Sequence, residues 1–590
     1  MAEARARFDD LRSRRSTVLA DPVGELRAQA PGDVVALLDE VQAAAARGWH
    51  AAGYLAYECA PAFDRALVVS GAPSASPAPL AWFGLFRGRR DGPLALPPVG
   101  RASAPRAWTL RDDAPTHARG VERILAGIAR GDVYQVNLTT AALGSGVRDA
   151  PGLYRRLVEA QQPGYGALLE FDGVAVASAS PELFFAWDGE EITSRPMKGT
   201  AARGRFAAED EARRAALAGS AKDLAENVMI VDLVRNDLGR VARTGSVRVT
   251  SVSEVEGYPT VWQMVSEVRG ATDGGVTLTD VFGALFPAGS VTGAPKTSAM
   301  RLVAELESAP RGIYCGAVGL VGPGSRGIDA RFNVPIRTVV VGVDGGLAQF
   351  GTGGGIVAAS DPDAEYRELV LKAAVLPSGP ARAGRLLETF RHTPGRPGAR
   401  ALHLARLRAS AALLGYVVPA DLEAGVERRV ASVREESRVR VLVSRNGSLS
   451  VEVDRAPEAT VEPLRLAVDD VPVSSADPRL FHKTTDRRLY DDRRRRHPGV
   501  DDVVLVNERG ECTESLTSNL AVRLAGEWLT PPLDSGCLPG VERARLVAEG
   551  RLVERVVTVA QLRAADGLAV VNSLRGWRPA RLVDAGAAAG

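Results

Sequence analysis

Of the 73 basic residues in this 590-residue chain, only five are lysines (Lys198, Lys222, Lys296, Lys372 and Lys483), and 68 are arginines. A composition that favours arginine replaces exposed lysine freely, which makes the survivors suspects for chemistry. Arginine stays protonated, whereas a buried lysine can lose its proton and act as nucleophile, base or Schiff-base partner. Carboxylates form the second set. In DPDAEYRELVLK, Asp361 or Asp363 can cap a helix, and Glu365, Glu368 and Lys372 then share one face. Taken alone, Glu368 with Lys372 reads as a surface ion pair, and Glu226 on a longer helix reads as a solvated charge. The glycine run GTGGG, Gly351 to Gly355, stands between two apparent strands, so it is no dinucleotide fingerprint. Converging backbone N–H groups could hold an anion there, or the run could be a bulge or tight turn. GSVTGAPKT fails as a phosphate loop, because Pro295 stands where the second glycine should precede the lysine.

The elements that must carry these residues are mixed. Trp49 to Phe86 alternates short apolar runs with turns and reads as strands, as do GVAVASAS, IRTVVVGV and LAQFGTGGGIVAAS. Residues 116–130 and 206–241 have helical periodicity, the second through Leu224, Val228, Val231, Val234 and Leu238. This predicts an α+β domain of antiparallel sheets with surrounding helices. A Pro/Gly/Ser-rich seam at 377–385 separates residues 1–376 from 386–590. Beyond it the chain reads as strand, turn and amphipathic helix, then as a hairpin turning at Asn446-Gly447. The basic run Arg493–Arg496 reads as a solvated loop.

Length alone suggests about three or four compact units at roughly 100–200 residues each. A net charge of +2 gives no reason to expect a nucleic-acid or membrane surface. There is no apolar stretch of about 18 residues, and the charged N-terminus lacks a signal-peptide core. Cys59, Cys315, Cys512 and Cys537 are widely spaced, as in core residues of a reducing cytoplasm.

The ordered segments YQVNLTT, SASPELFF, RPMKGT, KDLAENVMIVDLVRNDLGRV, FPAGSVTGAPK, IYCGAVG and GTGGGIVAASDPDAEYRELVLK resemble the chorismate-utilising enzymes, and among them aminodeoxychorismate synthase component I. The resemblance spans roughly residues 50–375. It implies that Glu226 and Glu368, with Glu365 nearby, hold a Mg²⁺ that binds the ring carboxylate of chorismate, with Lys222 and Lys372 beside them. It places Thr292, Tyr314, Arg337, Gly353, Gly354, Gly355 and Lys372 at the substrate, with Lys296 in the same loop as Thr292. Lys198 stands where relatives making anthranilate or isochorismate carry alanine. The implied role is attack on C2 of chorismate, with Glu182 helping the C4 hydroxyl to leave and ammonia entering at C4. Gln135 takes the position of a lysine base in water-adding relatives. Gln263, in VWQMVS, departs from the family's histidine, so no leaving-group role passes to it. None of the cysteines has a nucleophile-elbow context, which implies a separate glutamine amidotransferase subunit as the ammonia source.

Past the seam, HLARL, FHKTTDRRLYD, ECTESLTSNL, GCLPGVER and VNSLRG recur in the order of fold-type IV pyridoxal-phosphate enzymes, whose α/β fold has two subdomains. The nearest resemblance is to aminodeoxychorismate lyase, with branched-chain aminotransferases as cousins. It implies Lys483 as the Schiff-base lysine and Glu514 as partner of the pyridine nitrogen. Arg406, backbone N–H groups near Val541 and the Ser573 hydroxyl would hold the phosphate. Asn519 completes TExxxxN. The two halves together would convert chorismate to 4-aminobenzoate in the cytoplasm, and the resemblance allows a homodimer through the second half. Anthranilate synthesis in the first half, and transamination or a non-catalytic module in the second, are the alternatives.

Overall fold

In the computed structural model the described residues are 4–70, 78–98, 108–342, 347–373, 376, 384–396, 398–458 and 462–583. They form two compact units, fewer than length suggested. One comprises Met1–Ala202 and Arg214–Ala381, the other Arg203–Arg213 with Arg382–Gly590. The sequence division left Arg203–Arg213 in the first part, whereas contacts group it with the second. Apart from Gly384, Arg385 and the preceding edge at Leu376, the expected seam lies outside the described residues.

The first unit holds an eighteen-strand hydrogen-bonded sheet system. Its strand pairings are antiparallel, as at Gln135–Ser145 with Leu347–Ile356 and Val174–Ser180 with Thr338–Val341. The glycine run is neither turn nor bulge. It lies inside the ten-residue strand Leu347–Ile356, in unbroken register, with Gly353 opposite Thr139 and Gly355 opposite Asn137. The partner strand is far away in sequence, so local turn signals misled. Its glycines answer close approach: a Cβ at Gly351 would meet Tyr314 Cγ at 2.1 Å, and one at Gly353 would meet the Leu138 carbonyl at 2.5 Å.

The expected helix over 206–241 is two helices, Ala207–Ala218 and Ala221–Gly239, separated where Ser220 caps the second by accepting from the Asp223 N–H. Its buried stripe is Asn227, Ile230, Val231, Val234, Asp237 and Leu238, while Val228 is exposed. Asn227 takes a position that periodicity assigns to an apolar residue. Its carbonyl accepts from Ser266 and Ser253, and its amide donates to the Lys198 carbonyl at 3.4 Å. The 116–130 helix runs from Ala114 to Arg130 between an Asp113 cap and Gly131, whose φ is +81°.

The second unit contains a three-stranded antiparallel sheet, Leu386–His392, Ser437–Val443 and Leu449–Arg455, against the helices Arg400–Leu414 and Leu422–Val430. The Asn446-Gly447 hairpin forms as expected, with Gly447 at φ +88°. An eight-stranded mixed sheet follows, in which Leu464–Val468 pairs in parallel with Asp502–Val506 and Gly576–Leu582. Arg493–Arg496 is not a loop. It ends the helix Arg488–Arg496, where Arg493 meets the buried Asp469 at 2.6 Å. A buried carboxylate needs compensating charge, and two arginines and His497 supply it. Among the described residues no helix is long and apolar enough to cross a membrane.

Candidate active sites

Lys198 lies on the strand Met197–Ala202, which is clamped from two sides. Asn227 holds the Lys198 carbonyl, and Gln263 donates to the Gly199 carbonyl at 2.9 Å while accepting from Thr200 at 3.1 Å. Gln263 therefore serves as a tie between strands. The Lys198 side chain is 13% exposed, and its Nζ stands 4.0 Å from Glu226. Burial lowers its pKa, with Glu226 opposing. Gln135 and Asn137 reach the same place from the strand Gln135–Ser145, which pairs with the strand of Gly355 and not with that of Lys198. A Cβ at Gly355 would lie 2.2 Å from Lys198 Nζ and 2.6 Å from Gln135 Nε2, so glycine there lets both side-chain ends stand where they do.

Glu182 is buried just before the strand Leu183–Trp187. Burial pushes its carboxyl up to about 7, against the Ser290 hydroxyl, which donates to Oε1 at 2.5 Å, and against Lys198. A carboxyl partly protonated near neutrality can act as a general acid. Ser290 and Asn137 both stand inside motifs that the sequence reading singled out, but no local pattern tells which motif residue faces Glu182 or Lys198.

The other expected substrate residues divide. The Thr292 hydroxyl is spent on the Ala288 carbonyl at 3.2 Å, while its own carbonyl receives the Asn137 N–H at 2.8 Å. Tyr314 lays its ring on Gly351, on the same face of the strand as Gly355. Arg337 is half-buried, donates to Gln161 at 2.6 Å and forms no ion pair among the described residues. Burial lowers it to about 10, with Tyr258 opposing. Such a cation suits an arriving carboxylate. Lys296 instead pairs with the buried Asp237 at 3.0 Å and reaches the Leu285 carbonyl, a structural lock.

The three expected metal carboxylates are already engaged. Glu226 faces Lys198 and Lys222 at 4.0 and 3.9 Å, Glu365 accepts from Ser360 at 2.6 Å, and Glu368 pairs with Lys372 at 2.7 Å. Burial raises Glu226 against both lysines; for Glu368, burial also pushes upward, but Lys372, Lys198 and Lys222 together outweigh it. Lys372 further donates to the Gly353 carbonyl at 2.9 Å, and Glu365 Oε2 lies 3.1 Å from where a Gly354 Cβ would stand. The donors are all hard oxygens, the chemistry Mg²⁺ takes when water and substrate complete its shell. They are not a preformed cage. Among the described residues the acidic group that converges within 4.8 Å is Asp469, Asp470 and His497, whose charge the neighbouring arginines neutralise.

In the second unit, Arg406, Lys483, Glu514, Val541 and Ser573 all line one cavity. Lys483 follows the turn Pro478–Leu480 and is held by its carbonyl, which accepts from the Leu387 N–H at 2.9 Å. Its amine has no hydrogen-bond partner among the described residues, and burial, aided by Arg406, lowers it to about 8. Glu514 is pushed up to about 7 by burial, although the Leu538 N–H and the Tyr490 hydroxyl each donate to it at 2.9 Å. Gly540 precedes the helix Val541–Ala548 with no capping side chain, and a Cβ there would lie 1.9 Å from Asn519 Oδ1. The free N–H groups at that helix start form an anion seat. Arg406 is not a free phosphate clamp. Glu388 takes its Nε at 2.8 Å and one Nη2 bond at 2.6 Å, and Pro539 takes Nη1, which leaves two of five donors. His403 joins the same carboxylate through Nδ1 at 2.6 Å, and Arg406 and His403 hold Glu388 down at about 2 against burial. Glu388, His403 and Tyr490 were not anticipated from sequence. A half-buried amine without a hydrogen-bond partner among the described residues, a buried carboxyl and an uncapped helix start in one cavity fit pyridoxal phosphate.

Two families of known proteins match the chain. Residues 385–583 match the amino-transferase class IV family, and residues 3–377 match the family described as chorismate binding enzyme. The probable aminodeoxychorismate synthase, chloroplastic, of Oryza sativa subsp. japonica is 44% identical over 270 residues, 45% of this chain and 30% of that protein. The aminodeoxychorismate synthase component 1 of Bacillus subtilis is 41% identical over 256 residues, 43% of this chain and 53% of its own. An anthranilate synthase component 1 of Haloarcula marismortui reaches 39% over 259 residues, 43% of this chain and 50% of its own. The chain thus spans about a third to a half of the length of these curated relatives. For the fold, the crystal structure of anthranilate synthase component I from Streptococcus pneumoniae aligns with TM-score 0.53 at 24% identity, covering 61% of this chain and 91% of that one. With one family matched across 3–377, well over half its length, the chain belongs to the chorismate binding enzymes and carries a class IV amino-transferase region behind that match.

Proposed function

We propose that the chain makes 4-aminobenzoate from chorismate in two steps, one in each unit. The observation that carries this reading is Lys198, a buried amine whose pKa burial lowers, in a unit that also holds a protonatable Glu182. Lys198 Nζ bonds to C2 as both ring double bonds shift, C1=C2 to C1=C6 and C5=C6 to C4=C5, and the C4–O bond breaks; Glu182 gives its proton to the departing hydroxyl, which leaves as water. Ammonia then bonds to C4, both double bonds shift back as the C2–N bond breaks, and Lys198 leaves as an amine while the new ammonium gives up one proton to the Glu182 carboxylate. Glu226, Glu365 and Glu368 would hold Mg²⁺, which when bound offsets the charge of the ring carboxylate. Arg337 would face the second carboxylate. Ammonia would come from a separate glutamine amidotransferase, in keeping with four buried cysteines.

In the second unit, pyridoxal phosphate when bound would supply an electron sink. Glu514 would face its ring nitrogen, and Arg406, the Val541 helix start and Ser573 its phosphate. Lys483 Nζ, with a pKa near 8, would take the proton from the amine-bearing C4 and return one as pyruvate departs.

Incubation of the full chain with chorismate, Mg²⁺, ammonium and pyridoxal phosphate should yield 4-aminobenzoate and pyruvate in equal amounts. 2-Aminobenzoate as the main product would overturn the first step. Accumulation of 4-amino-4-deoxychorismate without pyruvate, or its transamination, would overturn the second. Glutamine should replace ammonium only when an amidotransferase is added.

A further inference from the structure

Four arginines line the cavity of the second unit, and three are committed. Arg406 is held by Glu388, Arg479 pairs with Asp477 at 2.5 Å, and Arg487 lies over the Tyr490 ring at 4.2 Å and donates to the Leu516 carbonyl. The fourth, Arg575, is exposed, and its side chain has no hydrogen bond or ion pair among the described residues. The acids of the same wall do not claim it. Asp486 pairs with Arg488 and Glu542 with Arg545, each at 2.6 Å, while Glu514 accepts from Tyr490 and Leu538.

Arg575 does not ride on a loose loop. It sits at the tip of the hairpin Gly567–Asn572 and Gly576–Leu582, where Asn572 opposes Gly576 and three residues close on that glycine at φ +66°. Asn572 Oδ1 accepts from the Leu574 and Arg575 N–H groups at 3.1 and 2.8 Å, and the Leu574 carbonyl accepts from Arg391 at 3.0 Å. The tip that brings Ser573 to the cavity thus fixes the backbone of Arg575 there too. Behind it the buried Arg578 donates at 3.1 Å to Ser518, which also lines the cavity, and its Nε has no partner. Burial and then Arg575 lower the Arg578 pKa, with Asp502 opposing. Neighbouring guanidiniums repel, and an anion arriving at Arg575 relieves that repulsion. In 4-amino-4-deoxychorismate the ring carboxylate stands on C1, across the ring from the C4 amine, so an amine turned to the cofactor sends that carboxylate away from it. An α-amino acid carries both groups on one carbon, and its carboxylate stays beside the amine.

We propose that Arg575 binds the ring carboxylate of the second-step substrate and so selects an amine with its carboxylate across a ring over α-amino acids. This rests on the lyase reading of the second unit. The test loads the full chain with pyridoxal phosphate and titrates it with 4-aminobenzoate and with 4-aminobenzamide, the neutral analogue of the same shape. The visible band of the cofactor is the readout, because it reports this cavity and not the first unit. Wild type should bind the carboxylate at least fivefold more tightly than the amide. Arg575→Gln should bring the two within twofold while leaving the band of the unliganded protein unchanged, and Arg575→Lys should keep part of the preference and carries the test if the glutamine variant does not fold. No preference in wild type, or an undiminished one in Arg575→Gln, would overturn the assignment. Failure of wild type to release pyruvate from 4-amino-4-deoxychorismate would instead sink the lyase reading, whatever the carboxylate preference.

Discussion

Glu182 and Lys198 have opposite requirements, one a proton and the other its absence, and burial moves both toward neutrality. As a general acid Glu182 works only while protonated, so the amination rate should fall as pH rises through about 7. The Ser290 hydrogen bond favours the ionised form, and its loss in Ser290→Ala should carry that limb to higher pH. A pH profile of kcat that is unmoved in Ser290→Ala would remove Ser290 from the site. Glu182→Gln should cost about 10²- to 10⁴-fold in rate with the melting temperature little changed. Lys198→Ala should abolish the C4-aminated product, as read by chromatography; retained product would remove Lys198 from the mechanism. The types of these residues were legible in sequence because arginine is chemically excluded at a nucleophile. Their assistants were not, since Ser290 approaches Glu182 from 108 positions away, and nothing in FPAGSVTGAPK marks one hydroxyl over another.

At the scale of elements, periodicity and caps located the helices near 116–130, 206–241, 361–372 and 400–414 and the hairpin, but not what a strand does in its sheet. The glycine run looked like punctuation because its partner, Gln135–Ser145, lies some two hundred residues earlier. Likewise nothing in the sequence singles out Glu388, yet it joins the strand Leu386–His392 to the helix Arg400–Leu414 through His403 and Arg406. Glu388→Gln should destabilise the second unit by about 3–5 kcal/mol, the effect of breaking a buried ion pair by removing one partner. The pH dependence follows from the sign of the shift. The folded carboxyl sits near 2, below its ordinary 4.5, so its contribution is complete above about 4.5 and is lost as pH falls toward 2. Urea melts at pH 6 and pH 3 should therefore converge in wild type and Glu388→Gln as the acid is added. A constant gap would contradict this account.

For the whole molecule, the second unit is discontinuous in sequence. It takes Arg203–Arg213, where Phe206 stacks on Phe481 at 5.7 Å and Arg205 meets Asp534 at 2.6 Å. Phe481 and His482 directly precede Lys483, so a protein starting at residue 382 should melt lower and take up pyridoxal phosphate more weakly than the full chain. Equal melting and equal absorbance changes on titration would show the inserted segment to be dispensable. No composition shift betrays Arg203–Arg213, because a short stretch that packs on a distant ring carries no periodic signature. The Gln135–Ser145 strand has a different consequence. It is bonded along one edge by Leu347–Ile356 and along the other by Trp108–Leu110 and Gly293–Ala294, whereas the helix Pro362–Ala373 buries only Leu369. Amide deuteration should therefore reach the helix bearing Glu365 and Glu368 within local openings and the strand bearing Gln135 and Asn137 only when the unit unfolds. The amides of Gln135 and Asn137 thus sit on an element that exchanges last, and the carboxylates of Glu365 and Glu368 on one that can shift while the sheet stays closed.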